Sequence, residues 1–393
     1  MVTHASTDSR YSLPAFADQL FEHLPRTDQR KWARVYLEAL MATRGKKTVR
    51  RLAASVSDSP TASQSLHQFV NASPWDWTPV RQEMARWVES RLTPRAWLLD
   101  LAVIRKRGEH SCGVHRRFVP ATGRSATCQV GVGAFLATAD AAIPVDWRLL
   151  LPGSWTNDPR RRLRARIPED IGPQPIEDHA LALTDFLAGS SRPVPGPVVA
   201  DLATVPGAHT LVRGLAIRNR DFVIAVPAGF KVVLGRHLHL QKPSDAGERG
   251  LALAARSLFE FDSGLTHAEV VDTADANTRR LEVRSVRVYL PDTHPSFPPR
   301  TYSLFTVASE NSRRPVQTWL TSLTHARAAE VVGLTRLLAH SQEAVRRMES
   351  DFGLLDFEGR SYPGWHHHMT LVSAAYAYSR TGHLSAVERP EAA

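Results

Sequence analysis

Two aspartates stand in unusual places for charge. Asp100 interrupts an apolar run, Ala96 to Ile104 (AWLLDLAVI), and Asp201 closes the short run Val198-Val-Ala-Asp201. Runs of this kind read as strands buried on both faces, where carboxylates are uncommon. Acidic residues at the ends of adjacent strands, joined by a third from a helix, are what two-metal phosphoryl transfer requires. The ions share hard oxygen ligands, and a sheet holds those ligands rigidly. The helical stretch Thr318 to Asp351 offers Glu330, Glu343 and Glu349 as third members. Solvated carboxylates at strand edges are the plain alternative, and spacing alone leaves both open.

Other chemistries have less support. No Gly-rich loop ends in Gly-Lys-Ser/Thr, and neither His-Glu-x-x-His nor Gly-x-Ser-x-Gly occurs. Gly131-Val-Gly133 lacks a third glycine and reads as close backbone packing. His366, His367 and His368 are adjacent, so on a helix they point in three directions and cannot share a metal. Cys112 lies between His110 and His115, where a small buried thiol is the ordinary reading and a nucleophile the other.

A different set of residues suits DNA. Lys46 to Val56 places Val49, Leu52, Ala53 and Val56 on one helical face. After Ser57-Asp-Ser-Pro60, a second helix from Thr61 to Val70 has Ala62, Leu66, Phe69 and Val70 on one side. Ser63, Gln64, His67 and Gln68 lie on the other. Such polar side chains can reach base edges or phosphates, and two short helices around a tight break resemble a helix-turn-helix. A helical bundle with a solvated polar face is the alternative. Cations cluster at Lys46, Lys47, Arg50 and Arg51; at Arg105, Lys106 and Arg107; at Arg116 and Arg117; and from Arg160 to Arg166. The chain carries 49 Lys plus Arg against 39 Asp plus Glu, a net +10, which favours a polyanionic partner.

The elements that must position these residues follow the same texture. The chain of 393 residues, 43% apolar and 22% charged, is long enough for more than one domain. Residues 1–92 read as a helical, helix-turn-helix-like DNA-binding domain. Residues 93–226 begin a sheet core with strands at Ala96–Ile104, Gly113–Val119, Thr127–Ala137, Val145–Leu150, Val198–Asp201 and Asp221–Val226. A helix is expected at Ile176–Leu187 and a Pro/Gly/Ser loop at Gly189–Pro197. Residues 227–305 mix short strands, Pro and His as a β-rich insertion. Residues 306–393 complete the core with helices at Thr318–Asp351 and Gly364–Tyr378. Strands first, then helix–strand alternation, predict a mixed α/β fold. Two cysteines, Cys112 and Cys128, cannot build a disulfide framework, which suggests a reducing cytosol. The most apolar stretch, around Val130 to Ile143, is broken by Asp140, and the N-terminal MVTHASTDSR lacks signal-peptide order. Neither a membrane span nor a membrane partner is expected.

Several segments together resemble the DDE transposases of bacterial insertion sequences, in the branch with a β-rich insertion before the last acidic residue. They are Lys106-Arg-Gly-Glu-His-Ser-Cys-Gly-Val114, Cys128-Gln-Val-Gly-Val132, Pro144-Val-Asp-Trp-Arg-Leu149 and Pro152-Gly-Ser-Trp155 with Asp158. Val199-Ala-Asp201, Gly353-Leu354, Arg360-Ser361 and Gly364-Trp365 with His368 complete the set. The resemblance implies a ribonuclease-H-like core in which two Asp and one Glu bind two divalent metals, Mg or Mn. It also implies double-stranded DNA as partner, with DNA recombination and transposition as the process. It raises a homodimer as an expectation and places the protein in the cytoplasm, at the nucleoid.

The departures from the family pattern bear on activity. Counting back from Gly108, the first catalytic Asp falls on Leu101, with Asp100 beside it. Asp201 matches the second motif and is the expected metal ligand, but Leu202-Ala-Thr-Val205 replaces the Gly-Tyr that commonly follows. Counting back from Gly353, the family's Ile-Glu falls on Ser341-Gln342, with Glu343 one position late. Leu338-Ala339 stands at the usual Arg-Trp, and Glu349 at the usual Lys. Neighbouring strand residues face opposite sides, and one helical residue is about 100° of rotation, so neither acidic neighbour is a simple substitute.

The expectation is a transposase-like, catalytically impaired and domesticated DNA-binding protein, in the manner of a regulator, with no metal cofactor. Two alternatives stand beside it. One is an active DDE transposase or nuclease rebuilding its site from Asp100, Asp201 and Glu343 with Mg or Mn. The other is the fold reused as a non-nucleic-acid enzyme or protein-binding module, with His110, Cys112, His115 and Asp201 as its chemistry.

Overall fold

The computed structural model describes residues 12–119, 122–190, 196–234, 252–260, 264–272, 279–291, 300–309 and 317–384. The chain divides into two compact units, Met1–Pro195 with Ala339–Ala393, and Gly196–Leu338.

The first unit opens with helices α1 (Leu13–Phe21), α2 (Thr27–Ala42), α3 (Val49–Val56), α4 (Ala62–Asn71) and α5 (Trp77–Arg91). Each short helix has a local reason to start. Ser12, Thr48 and Asp76 cap α1, α3 and α5 by accepting backbone N–H groups, and Pro14 sits in the first turn of α1. α3 begins two residues after Lys47 rather than at Lys46, because Thr48 is its N-cap. α4 turns Ala62, Leu66, Phe69 and Val70 inward, as its periodicity predicts.

Four strands follow: β1 (Ala96–Arg105), β2 (His115–Val119), β3 (Arg124–Ala137) and β4 (Ala142–Leu149). β3 is their centre, with β1 antiparallel along one side and β2 and β4 sharing the other. Asp100 lies opposite Gly133, and Leu101 opposite Val132. Gly133 makes room for the ring of Trp147, its partner on β4, which a Cβ there would meet at 2.6 Å. Helices α6 (Gly153–Thr156), α7 (Pro159–Ala165) and α8 (Ile176–Ser190) complete this stretch. The loop expected at 189–197 lies largely outside the described residues.

The second unit contains β5 (Val198–Asp201), α9 (Ala208–Ile217), β6 (Phe222–Val226), β7 (Lys231–Leu234), β8 (Leu253–Ala254), β9 (Thr266–Asp272), β10 (Arg279–Tyr289), β11 (Tyr302–Ser309), β12 (Thr318–Thr321) and α10 (Ala328–Arg336). β5 and β6 are parallel, joined by α9 as a β–α–β unit. The sheet continues antiparallel through β12, β11 and β10, which pairs with both β7 and β9. The helix expected from Thr318 therefore begins later. Thr318-Trp-Leu-Thr321 is a strand with all its residues buried, paired with β6 and β11, where β-branched and aromatic side chains suit a pleated interior.

The chain then returns to the first unit as α11 (Leu338–Asp351) and α12 (Tyr362–Thr381). α12 is buried on nearly every side, so its apolar residues need no stripe. Its three histidines diverge. His366 stacks on Trp77 at 4.4 Å, His367 on Trp75 at 3.9 Å, and His368 on Phe357 at 5.0 Å.

Candidate active site and nucleic-acid interface

Strand alternation permits only one of Asp100 and Leu101 to face α11, and the structure turns Asp100 that way. The Ser341 hydroxyl donates to Asp100 Oδ2 at 2.7 Å, and the Leu101 N–H donates to Oδ1 at 2.7 Å. No register change in β1 is needed to present Asp100 to the helix. α11 does not answer with a carboxylate. Its inward face carries Ser341, Ala344 and Met348, at i, i+3 and i+7, all buried. Gln342 is exposed and Glu343 lies two residues around the turn. The Glu343 carboxylate accepts from Arg346 and Arg347 at 2.9 Å each, and these two arginines hold it below the usual carboxylate range. Glu349 is half-buried, and burial pushes its carboxyl up against the opposing pull of Arg105.

In the second unit, Asp201 is exposed at the end of β5. Its Oδ1 accepts from the Ala203 N–H at 2.9 Å and its Oδ2 from the Gln317 amide at 2.8 Å. Ala203 and Gln317 also line a cleft of about 670 Å³ that carries Arg256, Glu260, Glu282 and Arg284. Residue type alone does not mark Ser341 or Gln317 as partners of these aspartates. The inward period of α11 is the signal that points to Ser341, whereas Gln317 carries no local signal.

These donor sets do not fit a pair of divalent ions. Hard cations need several convergent oxygens with free lone pairs. Here the helix presents Ser341 rather than a second carboxylate to Asp100, and Glu343 is neutralised by arginines. Among the described residues, no three of His, Cys, Asp and Glu come together to hold a metal. Ser341→Asp is therefore expected to build what the wild type lacks, a second carboxylate facing Asp100. Its melting temperature should rise by several degrees on adding Mn²⁺, by preferential binding to the folded state, while the wild type stays unchanged. An equal, Asp100-dependent rise in the wild type would show a cation site already present.

Cys112 does not supply alternative chemistry. It is fully buried, and burial pushes its thiol up to about 12, far from a thiolate at neutral pH. His110 is exposed, and a ring nitrogen of His115 lies 2.9 Å from the Gly113 carbonyl oxygen.

The cationic residues sort into surface and interior groups. Gln64, His67 and Gln68 form the exposed face of α4, and Lys46, Arg50 and Arg51 are exposed at the start of α3. Lys47 departs from its expected place on that surface. It is 5% exposed, its ammonium donates to the Leu40 carbonyl at 2.7 Å and to the Thr43 carbonyl, and burial lowers its pKa. Its backbone N–H donates to Asp356 at 2.7 Å, so Lys47 ties α3 to the segment before α12. Lys106 is likewise half-buried and donates to the Phe357 carbonyl at 3.1 Å. Arg105, Arg107 and Arg116 are exposed, and Arg117 is half-buried.

A model of the DDE superfamily endonuclease family matches residues 19–295. No curated protein matches the chain. No helix among the described residues is long and apolar enough to cross a membrane.

Proposed function

The chain belongs to the DDE superfamily endonucleases, and from that premise we propose that it is a transposase-like DNA-binding protein that no longer cleaves DNA and acts as a regulator. DDE endonucleases typically use divalent metal ions. The observation that carries loss of cleavage is the serine on α11 that faces Asp100 where a metal site requires a carboxylate. Double-stranded DNA in the cytoplasm, at the nucleoid, is the partner in this account. The exposed polar face of α4 and the cations Lys46, Arg50, Arg51, Arg105, Arg107 and Arg116 support it.

Phosphate neutralisation by four or more such groups gives a log–log salt slope near −0.9 per contact. Affinity for a duplex oligonucleotide should then fall by roughly a hundredfold or more between 50 and 200 mM salt, without any divalent metal. Fluorescence anisotropy across a salt series reads this directly. A flat response, or no binding at low salt, would remove DNA from the account.

A second reading is favoured by one observation: Asp100 rather than Leu101 faces α11. An active nuclease would use Asp100, Asp201 and Glu343 with Mg or Mn.

A further inference from the structure

Two large apolar side chains stand in solvent among arginines in the first unit. Phe118 on β2 is 57% exposed, and Leu163 on α7 is 82% exposed. β2 forms one edge of its sheet, and Arg116 and Phe118 share its outward face, opposite Thr127 and Ser125 on β3. On α7, Arg160, Leu163 and Arg164 occupy i, i+3 and i+4 and therefore one face. Among the described residues no carboxylate pairs with the side chains of Arg116, Arg160 or Arg164.

Leu163 is held outward by a fixed helix rather than a loose loop. Asp158 caps α7 by accepting the N–H groups of Arg160 and Arg161 at 2.9 and 3.1 Å. Arg162 turns inward and donates to the Thr156, Pro168 and Ile171 carbonyls, and Ala165 is buried. Arg166, which ends the helix, donates to Ser361 at 2.9 Å. The two elements are joined. Arg161 lies 5.3 Å over the Trp155 ring, and the Trp155 indole N–H donates to the Val114 carbonyl at 2.8 Å, one residue before β2.

We propose that this hairpin and α7 form one surface for DNA with unstacked bases, on which Phe118 and Leu163 enter the base stack while Arg116, Arg160 and Arg164 hold flanking phosphates. This rests on the DNA-binding reading above and specifies its substrate. Charge complementarity selects the partner, because unpaired arginines around the apolar tips match a polyanion whose interior is apolar. Aromatic and aliphatic wedges of this kind act on opened base steps, with arginines on the adjacent backbone. Rigid mounting matters for the same reason, since a wedge on a flexible loop would yield instead of prising bases apart.

The test compares two oligonucleotides at one salt concentration, a fully paired duplex and the same duplex with a two-base mismatch carrying 2-aminopurine. The wild type should prefer the mismatched duplex by about tenfold or more and change the 2-aminopurine fluorescence, as stacking on aromatic side chains predicts. Phe118→Ala and Leu163→Ala should each lose most of that preference while keeping paired-duplex affinity within about twofold. Phe118→Trp should retain the preference, since stacking survives. Both side chains are exposed, so the variants should melt as the wild type does. Equal affinity for the two duplexes, or a preference unaffected by both alanine variants, overturns the inference and leaves DNA binding standing. Binding to neither duplex removes both.

Discussion

Arg81→Ala should lower the stability of the first unit by about 3–5 kcal/mol, the cost of stranding a buried carboxylate. Arg81 is 1% exposed on α5, and every nitrogen of its guanidinium is used. Nη1 donates to Asp146 Oδ1 at 2.5 Å and to the Trp147 carbonyl at 2.8 Å. Nε donates to Thr370 at 2.7 Å, and Nη2 to the His366 carbonyl at 2.9 Å. One side chain thus joins the N-terminal helices to β4 and to α12. Its removal leaves Asp146, 4% exposed, without its cation. Guanidinium unfolding measures the effect. The double variant Arg81→Met with Asp146→Leu should recover most of the loss, because apolar isosteres avoid desolvating two charges. A loss below about 1 kcal/mol for Arg81→Ala would mean that water reaches Asp146 easily.

Acidification should act on the same region with comparable force. Burial lowers the histidines of α12, His367 to about 4 and His368 to about 3, with His366 well below its ordinary value. His179 on α8 is lowered to about 4, and neither of its ring nitrogens has a partner among the described residues. For His367, burial outweighs the two carbonyl oxygens near its ring. The folded state therefore keeps these rings neutral while the unfolded chain protonates them below about 6.5. Their contribution is fully present above that pH. It falls as pH drops from about 6.5 towards 4, and it stops changing only below the folded values. Each buried histidine costs about 1.4 kcal/mol per pH unit across that window, so four should bring a loss on the order of 5 kcal/mol or more by pH 4.5. Denaturant midpoints at pH 7.5 and 4.5 read the loss, and His179→Leu should shallow the slope by about one proton. A midpoint that holds constant to pH 4.5 would show that the rings accept protons in place.

Where sequence reading succeeded, the information was local. The apolar run at Ala96 to Ile104, broken only by Asp100, marks β1, and Val198 to Asp201 marks β5 residue for residue. The period of Ala62, Leu66, Phe69 and Val70 fixes the buried face of α4. Where it failed, a distant contact decided. Thr318-Trp-Leu-Thr321 follows no helical period of its own but is claimed as a strand by β6 and β11. Lys47 reads as a surface cation because nothing nearby in sequence announces the carbonyls of Leu40 and Thr43 folding over its ammonium.

The candidate site shows both cases. The outward turn of Glu343 follows from about 100° per residue and is legible in advance. That Asp100 and not Leu101 meets α11 depends on which face of β1 the helix covers, and alternation alone leaves that open. The hold of Gln317 on Asp201 spans a sequence separation of 116 residues, which no spacing rule reaches.

The most direct test of the account is nicking of supercoiled plasmid in Mn²⁺ by the wild type, run beside Asp201→Ala. Without a carboxylate on α11 facing Asp100, the predicted result is DNA bound but uncut, with the two proteins indistinguishable. Manganese-dependent nicking by the wild type that disappears in Asp201→Ala would contradict it and establish an active nuclease.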